Sequence, residues 1–355
     1  MGARDDRLRE VLQRVAPGTP LREGIERVIK ASKGAIIVIG HGTELEQVIS
    51  GGFKLAANFS AQRLSEVAKM DGAIVLDDAI ERIIYANVHL VPDPKIPTSE
   101  TGTRHRTAER VAKQTGKPVV SVSESMRIVT LYVDGAKHTL EEISSVLFRA
   151  NQALSTLERY RTRLDEVSST LTALEMDGAV TLRDVVSVLQ RAEMVRRIAD
   201  EIEAYVDELG SDGRLLELQL EELMHGVERE RELVVLDYLP DRRREVATVL
   251  RQLDAIEAGR LLDAWRIGAA LGVPNLNGNV EEVVVPRGYR ALARLPRQPW
   301  GMIERIVAHF DGLGDLLEAD RDALEAVDGV GAMRARAITD GLARVKQSTL
   351  RERYG

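Results

Sequence analysis

Residues 101–110 read TGTRHRTAER, a run in which several side chains could hold an anion. Thr101, Gly102 and Thr103 put hydroxyls and a flexible backbone just ahead of a predicted helix start. Arg104 and Arg106 bracket His105, and Thr107 follows as the helix begins. A helix N-terminus carries unpaired backbone N–H groups and a positive dipole end, which suit phosphate. Arginine adds fork-shaped donors matched to phosphate oxygens. At a helix start, however, arginine opposes the dipole and costs stability unless an anion compensates. Ion pairing with surface acids is the bland reading; phosphate binding explains the placement better.

The tripeptide Asp-Gly-Ala occurs three times, at 71–73, 134–136 and 177–179. Asp-Gly is also common turn chemistry, so the surroundings must discriminate. Asp134 lies between IVTLYV and KHTLEE, where it reads as a turn ending a sheet and leading into a helix. Asp177 falls between two helical patterns, with Gly178 as terminator and Thr181 and Asp184 as a capping box. Asp71 follows a predicted helix and opens a strand, placing its carboxylate at the mouth of a sheet, where ligands often bind. Of the three, Asp71 is the candidate for chemistry.

These residues need a frame. Up to about residue 138 helical and strand patterns alternate. DDRLREVLQRV and TPLREGIERVIKAS have helical spacing, with Thr19-Pro20 as cap and first turn. GAIIVIG, GAIVL, RIIYANVHL, PVVSVS and MRIVTLYV read as strands. The expected fold is an α/β sandwich, a mixed sheet flanked by helices. GHGTE (40–44) and SGGF (50–53) lack the Lys-Ser/Thr ending of a P-loop and read as turns. From about 139 to 272 the pattern is almost purely helical, with Leu147, Ala150, Leu154 and Leu157 opening a 3–4 spacing. This all-α spine packs or spaces. Residues 271–288, rich in Gly, Asn and Pro, read as a linker. The expected domains are 1–138, 139–286 and 287–355.

The chain has 355 residues and no cysteine, which excludes disulfides, thiolate metal sites and a cysteine nucleophile. Its six histidines show no zinc-like spacing. No apolar run approaches the roughly 20 residues of a membrane span, and the N-terminus lacks a signal-peptide core, so the expected address is cytoplasmic. A net charge of -7 argues against coating nucleic acid over the whole surface. Residues 333–355 nevertheless hold 6 Lys/Arg against 2 Asp/Glu, a balance of +4, which points to the C-terminal end if any part meets phosphate.

There LEAVDGVGAMRARAITDGL resembles a helix-hairpin-helix. Gly329, Val330 and Gly331 would form the hairpin, its backbone N–H groups touching DNA phosphates without reading sequence. Arg334, Arg336, Arg344 and Lys346 follow it and could flank a phosphate backbone. A preceding half, LARLPRQPWGMIERIVAHF, has Pro296–Pro299 where a Gly-x-Gly hairpin would stand. Its role in DNA contact is therefore open.

MDGAIVL and the stretch ANVHLVPDPKIPTSETGTRHRTAERVAKQTGKPVVSVSES together resemble the diadenylate cyclase (DAC) domain family. The two motifs stand in order, about thirty residues apart. The spine and C-terminal module resemble those of the DNA-integrity-scanning branch of that family. The resemblance implies a nucleotidyltransferase that condenses two ATP into cyclic di-AMP and releases two pyrophosphates, with Mg2+ or Mn2+ as cofactor. It implies that Asp71 meets the 3′-hydroxyl and metal, and that Gly72 and Ala73 admit the nucleotide close to the backbone. Thr103, Arg104, His105, Arg106 and Thr107 would hold the triphosphate. Leu90 would contact adenine through its backbone, and Ser123 would reach the terminal phosphates. His105 could instead be a packing residue that orients the loop. The implied partners are branched or damaged DNA and copies of the chain, in a homo-octamer with active sites face to face. The rival reading is a DNA-binding scaffold whose nucleotide pocket senses ATP without turnover.

Overall fold

The computed structural model describes residues 3–354 except 125, 127, 241–243 and 274–279. Residues 274–279 of the predicted linker thus lie outside the described residues. The chain divides into two compact units, Met1–Gln152 with Ile202–Leu218, and Ala153–Glu201 with Gln219–Gly355.

The first unit is a three-layer sandwich. Its sheet runs β2-β5-β4-β1-β6-β7-β8, with β3 also pairing β5. The strands are β1 (Ala35–Ile39), β2 (Ile49–Ser50), β3 (Phe53–Asn58), β4 (Ala73–Leu76), β5 (Arg82–Leu90), β6 (Val119–Val122), β7 (Val129–Val133) and β8 (Ala136–Leu140). Only β1 and β4 pair in parallel; the other ladders are antiparallel. The sheet is mixed, as its sequence pattern predicts.

Strand periodicity divides β1 between two cores. Ile37 and Ile39 face one side with Ile25, Val28 and Leu64 of α2 (Pro20–Lys30) and α4 (Ala61–Val67). Val38 faces the other, with Ala108 and Val111 of α5 (Thr103–Thr115). Burial on both faces explains why GAIIVIG is apolar throughout instead of alternating.

Three strands depart from the expected pattern, the two-residue β2 together with β3 and β8. Gly51 and Gly52 do form a turn, with φ 67° and 79°. Phe53 then starts β3, whose exposed residues lack the alternation of a half-buried strand. The Asp134 turn is a hairpin rather than the end of the sheet: β8 follows before any helix begins. Asp134 and Gly135 have φ 47° and 73°, both positive as the tight two-residue hairpin turn requires.

The long helices Ile143–Asp177 and Leu182–Leu209 carry the spine pattern. Between them Gly178 takes φ 65° and ends the first helix. The capping box forms in one direction only: Asp184 Oδ2 accepts from the Thr181 N–H at 2.9 Å and from its hydroxyl at 2.6 Å. The linker's far end is not free of structure. Val283 bridges Thr181, and the Val284 N–H donates to Val180 O at 2.9 Å. No helix among the described residues is long and apolar enough to cross a membrane.

Candidate functional site

One end of the sheet gathers the residues singled out above. Because β1 and β4 run parallel, Gly34 and Asp71–Ala73 emerge at the same edge. β6 pairs antiparallel to β1, Ala35 opposite Val122, and brings Ser123 and Glu124 beside them. β5 ends nearby at Leu90, and α5 starts there at Thr103. Together they line a cavity of about 840 Å3. Its walls include Asp71, Gly72, Ala73, Leu90, Thr103, Arg104, His105, Thr107 and Ser123. Arg106 is exposed and stands outside that lining.

The start of α5 is open. Gly102 occupies the N-cap and supplies no side-chain bond. The helical ladder begins with the Arg106 N–H donating to Gly102 O at 2.9 Å. The N–H groups of Thr103, Arg104 and His105 therefore have no intrahelical acceptor. The Thr107 hydroxyl donates to Thr103 O at 2.9 Å, bracing the turn from within.

Opposite lies Asp71, with its side chain 98% exposed. Arg104 spans the gap, 3.5 Å from Asp71 and 4.0 Å from Glu124. Ion pairs this long and wet contribute little, on the order of 0–1 kcal/mol. The guanidinium thus has acidic neighbours, as the bland reading expects, but they hold it loosely at the cavity wall.

Two glycines shape the site by what they lack. A Cβ on Gly34 would lie 2.1 Å from Arg104 Nη1, so this glycine makes room for the guanidinium. A Cβ on Gly72 would lie 2.6 Å from the Asn87 Cα and carbonyl carbon. The close backbone approach at Gly72 is therefore to β5 of its own chain. Gly34 and Glu124 were missed by motif reading. Their only sequence signal was position, next to the ends of two predicted strands.

His105 is half-buried. Its Nδ1 lies 3.0 Å from the Tyr132 hydroxyl, which donates to Glu100 Oε1 at 3.0 Å. Lys137 Nζ reaches the same oxygen at 2.6 Å. Burial holds the His105 pKa below the usual imidazole range, outweighing the pull of Glu100. Burial alone would raise Glu100, but hydrogen bonds from Lys137 and Tyr132 outweigh it and keep the carboxyl below its ordinary range. Ser123 is buried, and its hydroxyl accepts the Met126 N–H at 3.3 Å.

No group of three or more His, Asp or Glu among the described residues could hold a metal unaided. One exposed carboxylate at a cavity of this size fits Mg2+. That ion binds through one or two carboxylates, substrate phosphates and water.

The C-terminal helices Tyr289–Ala293, Trp300–His309, Leu313–Glu318, Arg321–Glu325 and Ala332–Tyr354 enclose a separate core. Gly329 takes φ 81°, and a Cβ at Gly331 would meet open space. Val330, grouped with them by sequence, is different: its side chain is buried and its N–H donates to Val327 O at 3.0 Å. Arg334 folds back onto Gly329 O at 2.6 Å, and Arg336 lies 3.6 Å from Asp340. The earlier link, residues 294–299, matches residues 326–331 in length. Its fourth residue, Arg297, takes φ 60° where Gly329 takes 81°. The two links differ in residue type but share their length and a positive φ at the fourth position.

Two family models match adjoining stretches of the chain. Residues 22–137 match the family described as DisA bacterial checkpoint controller nucleotide-binding. Residues 140–279 match the DisA bacterial checkpoint controller linker region. The DNA integrity scanning protein DisA of Acidothermus cellulolyticus is 56% identical over 354 residues, covering 99% of this chain and 96% of that protein.

The chain belongs to the DisA family.

A second DisA relative, from Parafrankia sp., is 56% identical over 352 residues, or 99% of this chain and 98% of its own length. Among solved structures, DacA from Staphylococcus aureus is 24% identical over 38% of this chain and 90% of that chain, with a TM-score of 0.31. The cavity described above falls within the residues matched to the DisA nucleotide-binding region.

Proposed function

We propose that this chain is a diadenylate cyclase that condenses two ATP into cyclic di-AMP and releases two pyrophosphates. The observation that carries the reading is one cavity with an exposed carboxylate, Asp71, facing the open turn of α5 across the Arg104 side chain. An attacking hydroxyl needs the first and a triphosphate needs the second.

In each half-reaction a ribose 3′-oxygen forms a bond to the α-phosphorus of the other ATP. The bond from that phosphorus to the pyrophosphate oxygen breaks. Asp71 orients the hydroxyl and helps its proton leave. The free N–H groups at Thr103–His105 and the Arg104 guanidinium offset charge on the phosphates and the departing pyrophosphate. Thr107 supports that turn, Ser123 lies within reach of the terminal phosphates, and Arg106 serves the pyrophosphate from outside the cavity. Leu90 offers backbone groups to adenine, and Ala73 keeps the wall beside Asp71 low. Asp71 would also carry Mg2+ or Mn2+, which supplies positive charge to the phosphate oxygens when bound.

One cavity holds one ATP, so the reaction needs two cavities face to face and hence a homo-oligomer, for which an octamer is the proposed form. The reading extends to a cytoplasmic protein with a cyclase domain to residue 138, a spine to 286 and a DNA-contacting module beyond. Incubation with ATP and Mg2+ or Mn2+, followed by mass analysis for cyclic di-AMP, tests the activity. ATP bound without product would leave a nucleotide-sensing scaffold.

The DNA part rests on the hairpin at Gly329–Gly331 and the DisA name of the relatives. Gly331→Leu puts a bulky side chain into open space where a phosphate would lie. It is expected to lose binding to branched or nicked DNA at low salt in a gel shift, with basal cyclic di-AMP synthesis unchanged. Tight DNA binding by this variant would remove the hairpin from the contact.

A further inference from the structure

The neighbours of His105 determine which of its ring nitrogens carries the proton. Lys137 lies 2.6 Å from Glu100 Oε1, and this pairing keeps the carboxylate ionised. An ionised carboxylate can only accept hydrogen bonds. Tyr132 has one hydroxyl proton and gives it to Glu100 at 3.0 Å. Its oxygen can then only accept from His105 Nδ1, 3.0 Å away. Nδ1 is therefore the protonated nitrogen. Nε2 is buried and has no hydrogen-bond partner among the described residues. In the neutral ring it is a bare acceptor, unsuited to phosphate oxygens, which also only accept.

We propose that Tyr132, Glu100 and Lys137 are positioning residues of the nucleotide site, holding His105 in its Nδ1–H tautomer and so pinning the first turn of α5 to β7. The proposal deepens the cyclase reading and rests on it for its activity readout. It takes His105 out of the set of phosphate donors and leaves that work to Arg104 and the free N–H groups.

The second Asp-Gly-Ala copy gains a part in the same device. The two-residue turn at Asp134–Gly135 pairs Val133 with Ala136, and so places Lys137 directly opposite Tyr132. A register slip of one residue would send Lys137 to the other face of the sheet. Arg7 ties this turn to α5 from the far end, donating to Asp134 at 2.8 Å and to Gly116 O at 2.7 Å. One hairpin thus holds both ends of the helix whose first turn opens into the cavity.

The test uses full-length protein labelled with 15N-histidine, sedimented and measured by solid-state NMR, with steady-state kinetics on the same preparations. The His105 signals are identified by their loss in His105→Asn. The parent is expected to show a protonated Nδ1 and a bare Nε2 at His105. Tyr132→Phe keeps the ring and removes the hydroxyl. It is expected to release the Nδ1–H form and lower kcat by roughly tenfold, as loss of orientation does, with KM for ATP little changed. His105→Asn places an amide N–H near the Nδ1 position and is expected to retain most activity. His105→Gln, whose amide lies nearer Nε2, is expected to lose it. This pair decides the matter even if Tyr132→Phe folds poorly. An Nε2–H imidazole in the parent, or equal losses in the Asn and Gln variants, overturns the proposal. A parent that makes no cyclic di-AMP overturns the cyclase reading instead, and the NMR measurement, which needs no turnover, keeps the two failures apart.

Discussion

Two arginines, one in each compact unit, show how the same side chain serves fold or function. Arg290 is 1% exposed, with Glu175 at 2.6 Å and Glu230 at 2.5 Å. Ser168 Oγ accepts from it at 3.0 Å. Around it the Asp237 carboxylate accepts the N–H groups of Gly288, Tyr289 and Arg290 at 2.7, 2.7 and 2.8 Å. Arg104 is 35% exposed, and among the described residues its carboxylate partners lie at 3.5 and 4.0 Å. A buried charge without a partner is costly, so a buried arginine is held by close carboxylates. A half-exposed charge with distant partners keeps most of its capacity for a ligand. Completeness of pairing separates the two better than residue type or local motif does.

The sharpest way to break this contrast is to remove Arg290. Arg290→Ala leaves Glu175 and Glu230 without their buried partner. The unfolding free energy is expected to fall by about 3–5 kcal/mol, the usual cost of orphaning a buried ion-pair partner. Denaturant unfolding of the full chain measures it, and a loss under 1 kcal/mol would show the network to be dispensable.

Next in size is Asp71→Asn. Cyclic di-AMP synthesis is expected to drop by roughly a hundredfold or more, the range for losing a proton-handling group, while binding of an ATP analogue survives. Asp134→Asn and Asp177→Asn should stay active, because asparagine also suits turns. If Asp177→Asn proved as inactive as Asp71→Asn, the choice among the three copies would fail.

Arg104→Ala tests the other side of the comparison. A charge-assisted contact is worth about 1.5–3 kcal/mol, so calorimetric affinity for a non-hydrolysable ATP analogue should fall accordingly. Stability should move by less than about 1 kcal/mol, since exposed ion pairs contribute little. A large stability loss with unchanged affinity would make Arg104 a second Arg290.

The smallest effect is expected from Gly34→Ala. The new methyl would displace the Arg104 guanidinium without removing it. Analogue affinity should weaken by less than in Arg104→Ala, and the double variant should be no worse than Arg104→Ala alone. Additive losses would separate Gly34 from the arginine.

Much of the first unit was legible because burial on both faces leaves a strong pattern. β1, β4, β5, β6 and β7 carry apolar, β-branched runs, α4 starts at a serine cap, and α5 ends at Gly116 in the left-handed region. β3 was missed because its exposed residues carry no core pattern, and β8 because AKHTL, at the sheet edge, has no fully buried residue and so no apolar run. The site split in the same way. Asp71, Thr103 and Arg104 could be read from local motifs, since a helix start and a strand start are local events. Gly34 and Glu124 could not, because nothing near them in the chain announces a neighbour far along it. Motif spacing does not say which residue of a hairpin turns inward; in Gly329–Gly331 it is Val330.

By itself the sequence determined most of the element types, the turns at Asp134–Gly135 and Gly178 and the open helix start at Gly102. Each follows from local backbone preference and hydrophobic period. Tertiary structure alone decided what stands around Asp71. The parallel pairing of β1 with β4 and the antiparallel pairing of β1 with β6 bring Gly34, Asp71 and Glu124 to one sheet edge. The β7–β8 register likewise sets Lys137 beside Tyr132 and, through Glu100, orders the proton on His105. Strand pairing is a long-range choice, made by burying two faces at once, and no short stretch of the chain contains it.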